Sequence, residues 1–252
     1  MLKHRIIPCV LLKDWQLTKS VNFEEFRTIG HPKVTARIYN NRNVDELIVL
    51  DIDASTHESD GINFVTLSDI AEECYMPLTL GGGIKTLDHI NELLKIGADK
   101  VSINTIALEN PDFIKEASSK FGSQCIVVSI DVKKIDDIYK IFNRNLGLVE
   151  NLELISWLKE VEALGAGEIL ITSVDLDGSE KGYDLELISL VSKEVSIPVI
   201  ANAGAGKPQD CVDAVKSGAD AIAAASIFHF TQYTPRNIKE ELHRNNFSVR
   251  LN

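Results

Sequence analysis

The 252-residue sequence contains no run of about 18 apolar residues, the length a membrane-spanning helix requires. Its opening, Met1-Leu2-Lys3-His4-Arg5, leads straight into a short strand pattern instead of the longer apolar core and small-residue cleavage site of a signal peptide. A soluble, cytoplasmic protein without membrane contact is expected. Basic residues are few, 26 against 37 acidic, and form no block, so a net charge of −11 excludes the electrostatic footprint of a nucleic-acid binder. An anionic ligand would have to be drawn in by local groups. Cysteine is scarce too: Cys9, Cys74, Cys125 and Cys211 stand far apart with no C-x-x-C pair, and the six histidines show no metal-ligand spacing. This argues against a disulfide framework and a zinc site, and neither a metal nor another cofactor is expected.

What the sequence does have is repetition. Eight short β-rich runs alternate with helical patterns: Arg5–Leu12, Glu46–Asp51, Pro77–Leu80, Lys100–Ile103, Cys125–Asp131, Glu168–Thr172, Pro198–Ala201 and Ala221–Ala224. Between them, Leu87, Ile90, Leu93 and Leu94, and again Leu154, Ile155, Leu158 and Val161, recur at spacings of three and four, which gives each helix one apolar face. Strictly alternating strands and helices make an α/β protein, and eight units predict closure into a single (β/α)8 TIM barrel spanning 1–252. An open doubly wound sheet is the competing arrangement. The halves also align with each other. Pro77, Gly83, Gly97, Ala98 and Asp99 match Pro198, Gly204, Gly218, Ala219 and Asp220, which predicts a two-fold repeat of half-barrels, roughly 1–122 and 123–252. The same offset sets Leu11 opposite Asp131.

In such barrels, chemistry is carried by the C-terminal strand ends and the loops after them. Gly81-Gly82-Gly83 follows the third strand and Ala203-Gly204-Ala205-Gly206 the seventh. Glycines there let a phosphate approach backbone N–H groups, although a tight turn alone would also use them. Asn104 and Thr105 end the fourth strand, Ala225 and Ser226 the eighth, and Thr172 the sixth. Two anion sites on opposite sides of the rim, suited to a phosphorylated small-molecule substrate, are expected. Asp131 closes an otherwise apolar strand, which suits acid/base or orienting chemistry, with structural hydrogen bonding as the alternative. Asp51 and Asp175 are further candidates to line the site, whereas Asp177-Gly178 reads as turn chemistry and His229 as packing at a helix start. At the other end, Arg5, Glu46, Lys100 and Glu168 each open a strand and would converge in a ring at the barrel bottom, or else lie as ordinary solvated strand ends.

Taken together these segments resemble the HisF family, the cyclase subunit of imidazole glycerol phosphate synthase. The resemblance is carried by Arg5-Ile6-Ile7-Pro8-Cys9, Asp45-Glu46-Leu47, Gly81-Gly82-Gly83-Ile84, Gly97 to Asn104, Gly165 to Leu170, Gly182-Tyr183-Asp184 and Ser226 to Phe230, and runs essentially end to end. It implies a heterodimer with a HisH-type glutaminase docked at the barrel bottom, from which ammonia crosses the core to a bisphosphorylated substrate at the rim. Arg5, Glu46, Lys100 and Glu168 would then gate the ammonia entrance, Asp99 would face the glutaminase, and Lys19 would belong to a flexible rim loop. Of the two strand-end aspartates the family uses as acid and base, Asp131 matches the second and the first falls on Leu11. The loop after the seventh strand also departs, with Asn202-Ala203 where the family has a small residue and glycine, which would narrow one phosphate site. Kept bottom and altered top resemble the HisF-like branch associated with sugar amidation (WbuZ/AglZ type), in which ammonia serves an N-sugar amidotransferase that makes acetamidino sugars for surface polysaccharides. The expected function is that ammonia-supplying role, with Asp131, Lys19 and Asp51 as catalytic candidates. The alternatives are the histidine-pathway cyclase, which yields imidazole glycerol phosphate and AICAR, and a non-catalytic activator of the glutaminase.

Overall fold

The computed structural model describes residues 3–24, 26–54, 61–145 and 147–251. Among the described residues, twelve strands occur in one sheet: β1 (Arg5–Lys13), β2 (Gln16–Lys19), β3 (Arg27–Gly30), β4 (Leu47–Asp51), β5 (Leu78–Gly81), β6 (Lys100–Ile103), β7 (Ile126–Ile135), β8 (Ile138–Asn143), β9 (Gly147–Glu153), β10 (Glu168–Ser173), β11 (Val199–Asn202) and β12 (Ala221–Ala224). Eight of them run parallel in the order β10-β11-β12-β1-β4-β5-β6-β7, and β7 pairs back to β10, which closes the barrel. An open sheet is thereby excluded. Eight helices of at least eight residues lie outside the strands, at Pro32–Asn41, Phe64–Ala71, Leu87–Lys95, Asp112–Phe121, Leu154–Ala163, Leu185–Glu194, Pro208–Lys216 and Pro235–Arg244. Several start on a local signal: the Thr86 hydroxyl accepts the His89 N–H, the Asp184 carboxylate accepts the Leu187 N–H, and proline opens three others.

Side chains alternate along the strands. One set packs outward against the helices in the main core, where Ile6, Val49, Leu80, Val101, Val128 and Ile169 are almost fully buried. The other fills the barrel axis with Ile7, Cys9, Ile48, Val127, Leu170, Ile200, Ala221 and Ala223. Burial pushes the Cys9 thiol up to about 12, so it stays neutral and packs as a small apolar group.

Four strands lie outside the eight that were expected. β1 and β7 continue past the rim and fold back as antiparallel hairpins with β2 and β8, whose outer neighbours are β3 and β9. Both hairpins turn through two residues, Asp14-Trp15 and Asp136-Asp137, with φ of 48° and 61° in each. Positive φ at both central residues matches the strand twist, but Asn-Gly is the usual sequence for it, and neither turn carries a glycine. The register repeats as well: Leu11 pairs with Leu50 and Leu50 with Gly81, as Asp131 pairs with Thr172 and Thr172 with Asn202.

Candidate functional site

At the N-terminal ends of the strands the four charges form one bonded ring. The Arg5 guanidinium lies 2.7 Å from Glu46 and 3.0 Å from Glu168, and the Lys100 ammonium lies 3.0 Å and 3.1 Å from the same carboxylates. Glu46 is only 2% exposed and also accepts the Thr79 hydroxyl at 2.7 Å. The reading as solvated strand ends therefore gives way to a closed network over the axial plug. Asp99 sits beside it and exposed, its carboxylate accepting the Leu78 N–H at 2.8 Å; Asp220 does the same for Val199 at 2.9 Å. Each aspartate thus caps the first residue of the neighbouring strand.

At the opposite end a cavity of about 790 Å³ opens above the plug, lined by Leu11, Lys19, Asp51, Gly82, Gly83, Asn104, Thr105, Asp131, Thr172 and Ala225 among others. That volume lies within the range of small-molecule sites. Gly82 has φ 106°, and a side chain there would collide with the Asp51 carbonyl, so the backbone of this loop lies bare. Asp51 is buried and its Oδ1 accepts the N–H groups of Ala54 at 3.1 Å and Asp53 at 3.4 Å, so it shapes the turn after β4 while lining the cavity.

Asp131 is the perturbed carboxyl of the site. Burial in the strand-end wall raises its carboxyl from 3.8 to about 7, against the lowering effect of hydrogen bonds from Asn104 and Thr172, while Asp177 adds a smaller rise. Asn104 Nδ2 donates to Asp131 Oδ2 at 2.8 Å and is itself fixed by Asn143, whose Nδ2 reaches Asn104 Oδ1 and Thr105 Oγ1, each at 3.0 Å. A carboxyl that titrates near neutrality and is held in one orientation can both give and take a proton. Its counterpart in the first half is Leu11, which faces the same cavity with no group to ionise.

Two expectations about the rim loops are corrected. Lys19 does not lie in a loop: it is in β2, buried, and its Nζ donates to Asp177 Oδ1 at 2.7 Å. Asp177, read as turn chemistry, is the aspartate that lines the cavity, while Asp175 is exposed, stands outside the cavity lining and accepts the Lys134 N–H at 2.8 Å. The short 3-10 turn Val174–Leu176 rotates the chain between them, which strand periodicity carried past Ser173 misses. Gly204, Ala225 and Ser226 line a small adjoining hollow of about 20 Å³ together with Ala203, and Lys19, Asp177 and Ala225 are walls of both spaces. Asn143 had no sequence signal either, since it lies on the hairpin that the turn residues concealed. His229 packs beside Tyr39, with its Nε2 3.4 Å from the hydroxyl, and burial lowers its imidazole to about 4. Among the described residues no three His, Cys, Asp or Glu side chains are grouped as a metal site would need, and no helix is long and apolar enough to cross a membrane.

Comparison with known proteins gives this barrel its relatives. A family described as histidine biosynthesis protein matches residues 5–234. An imidazole glycerol phosphate synthase subunit provisionally named hisF2, from Campylobacter jejuni, is 57% identical over 251 residues, covering all of both chains. The chain belongs to the HisF family. Imidazole glycerol phosphate synthase subunit HisF of a Hydrogenobaculum species is 46% identical, again over the whole of both chains. A second provisionally named hisF2, from Vibrio vulnificus, is 46% identical over all of this chain and 92% of its own length. The stretch that the family matches in this HisF-family barrel runs from Arg5 of the ring past Ser226 of the rim.

Proposed function

We propose that this HisF-family chain receives ammonia from a HisH-type glutaminase at its charged end and delivers it to an acceptor other than the histidine-pathway substrate. The acceptor chemistry belongs with amidation of a surface-polysaccharide sugar by a separate N-sugar amidotransferase. The observation that carries this reading is Leu11, which stands at the place symmetric to Asp131 and removes one of two paired strand-end acids. A positioned acid or base contributes typically about 100- to 10,000-fold, so ring closure through two carboxylates loses that share of its rate here. The kept end supports the ammonia role: Arg5, Glu46, Lys100 and Glu168 close the axis at a point where four ion pairs can break and reform, and Asp99 lies exposed beside them for a docked partner. Asp131 is the acid/base group, Asn104 its positioning partner, and Gly82, Gly83 and Thr105 the anion-holding wall.

The histidine-pathway cyclase is the second reading. It is favoured by the names of the similar proteins and by an Asp131 poised near neutrality. Complementation separates the two. Expressed in a bacterial histidine auxotroph that lacks only its own cyclase subunit, the chain is expected to leave the strain unable to grow without histidine. Growth at the rate given by an authentic cyclase subunit would overturn the amidation reading in favour of the cyclase.

A further inference from the structure

The two rim loops that should hold phosphates are not equal in this structure. The first-half loop opens into the large cavity: Gly82 and Gly83 carry positive φ, Thr105 Oγ1 accepts from Asn143 and so keeps its proton to donate, and Lys85 and Arg144 line the cavity along with Asp51 and Glu109. The second-half loop lines a hollow of only about 20 Å³, about the space one water needs, which shares Lys19, Asp177, Asn202 and Ala225 with the large cavity.

Four features narrow it. Ala203 occupies the position of Gly82 in the repeat and adopts φ 82°, which places a methyl group where the first loop has bare backbone. The cation on that side, Lys19, is held by Asp177 at 2.7 Å with both side chains under a tenth exposed, and the Ser20 hydroxyl donates to the other carboxylate oxygen at 2.8 Å. Glu180, an exposed residue whose backbone lies against Gly206, borders the same hollow, so Asp177 is joined there by a second acidic residue. The backbone N–H of Asn22 donates to the Asp177 carbonyl at 2.9 Å and fastens the segment after β2 to the turn after β10.

We propose that the rim takes a ligand with a single phosphate, held by the first-half loop at Gly82, Gly83 and Thr105, and that the ligand's other end is not a phosphate. This rests on the reading above of those residues as an anion-holding wall. A monophosphate, or a phosphate ester whose far end is neutral, fits; a substrate with phosphates at both ends does not.

Calorimetric titration of the full chain with inorganic phosphate tests it. One phosphate per chain is expected, weakened about tenfold or more by Thr105→Val, because a hydrogen bond to a charged group is lost. The double variant Ala203→Gly/Glu180→Lys is expected to gain a second site, with circular dichroism confirming that both variants fold. Two phosphates on the native chain, no phosphate at all, or binding indifferent to Thr105→Val would overturn the proposal. Two phosphates with failed complementation would overturn this inference and leave the amidation reading standing. One phosphate with full complementation would do the reverse.

Discussion

Replacing Glu46 with alanine is expected to cost the barrel about 3 kcal/mol or more of unfolding free energy, read as a lower urea midpoint with an unchanged slope. Glu46 is the most buried member of the ring and bonds Arg5, Lys100 and Thr79 at once. Its removal leaves two cations facing each other with Glu168 as their remaining partner in the ring, and breaking a buried pair costs more than the pair itself contributes, because the survivors stay desolvated. Water reaches Arg5 and Lys100 in part, with side chains 24% and 16% exposed, which holds the loss near the lower end of the range. Glu46→Gln keeps the shape and one acceptor, so it should cost clearly less. If the alanine variant melts with the native chain, the ring is a set of solvated strand ends and its role as a gate falls with it.

Asp131→Asn should have the second large effect, and its sign depends on pH. The carboxyl rises from 3.8 to about 7 on folding, so the native state holds a proton that the unfolded chain has released over that interval. No penalty is present below pH 4. It grows as pH rises and is complete above pH 7, where it reaches roughly 4 kcal/mol at most. Cavity water reaches part of Asp131 and reduces that figure. Asparagine cannot ionise and still offers an oxygen to Asn104. The variant is therefore expected to be more stable than the native chain at pH 8, by about 2–4 kcal/mol, and equal to it at pH 4. Ammonia-dependent turnover should fall about 100- to 10,000-fold in the same variant. A stability difference independent of pH would mean that Asp131 ionises like an ordinary surface carboxylate.

The barrel was legible because its eight strands and their helices obey simple periodicities, and because Pro77, Gly83 and Asp99 recur at Pro198, Gly204 and Asp220. The repeat also placed Leu11 against Asp131, and the strand registers agree. The hairpins escaped notice because Asp14-Trp15 and Asp136-Asp137 adopt left-handed φ without glycine. With them went Asn143, which fixes Asn104, and the strand position of Lys19. Asp175 and Asp177 could not be told apart by strand alternation, since a 3-10 turn intervenes and burial alone chooses Asp177. The closed state of the ring also lay beyond the sequence: four strand-opening charges say nothing of which carboxylate bridges which cation until the strands are staggered around the axis.

The most direct measurement is turnover by the purified chain paired with a HisH-type glutaminase, given glutamine and the bisphosphorylated phosphoribulosyl-formimino-AICAR. With Leu11 in place of the first acid and the second phosphate loop closed, imidazole glycerol phosphate should form at least about 100-fold more slowly than with an authentic HisF cyclase subunit under the same conditions. Formation at the authentic rate would contradict the assignment and make this chain a histidine-pathway cyclase.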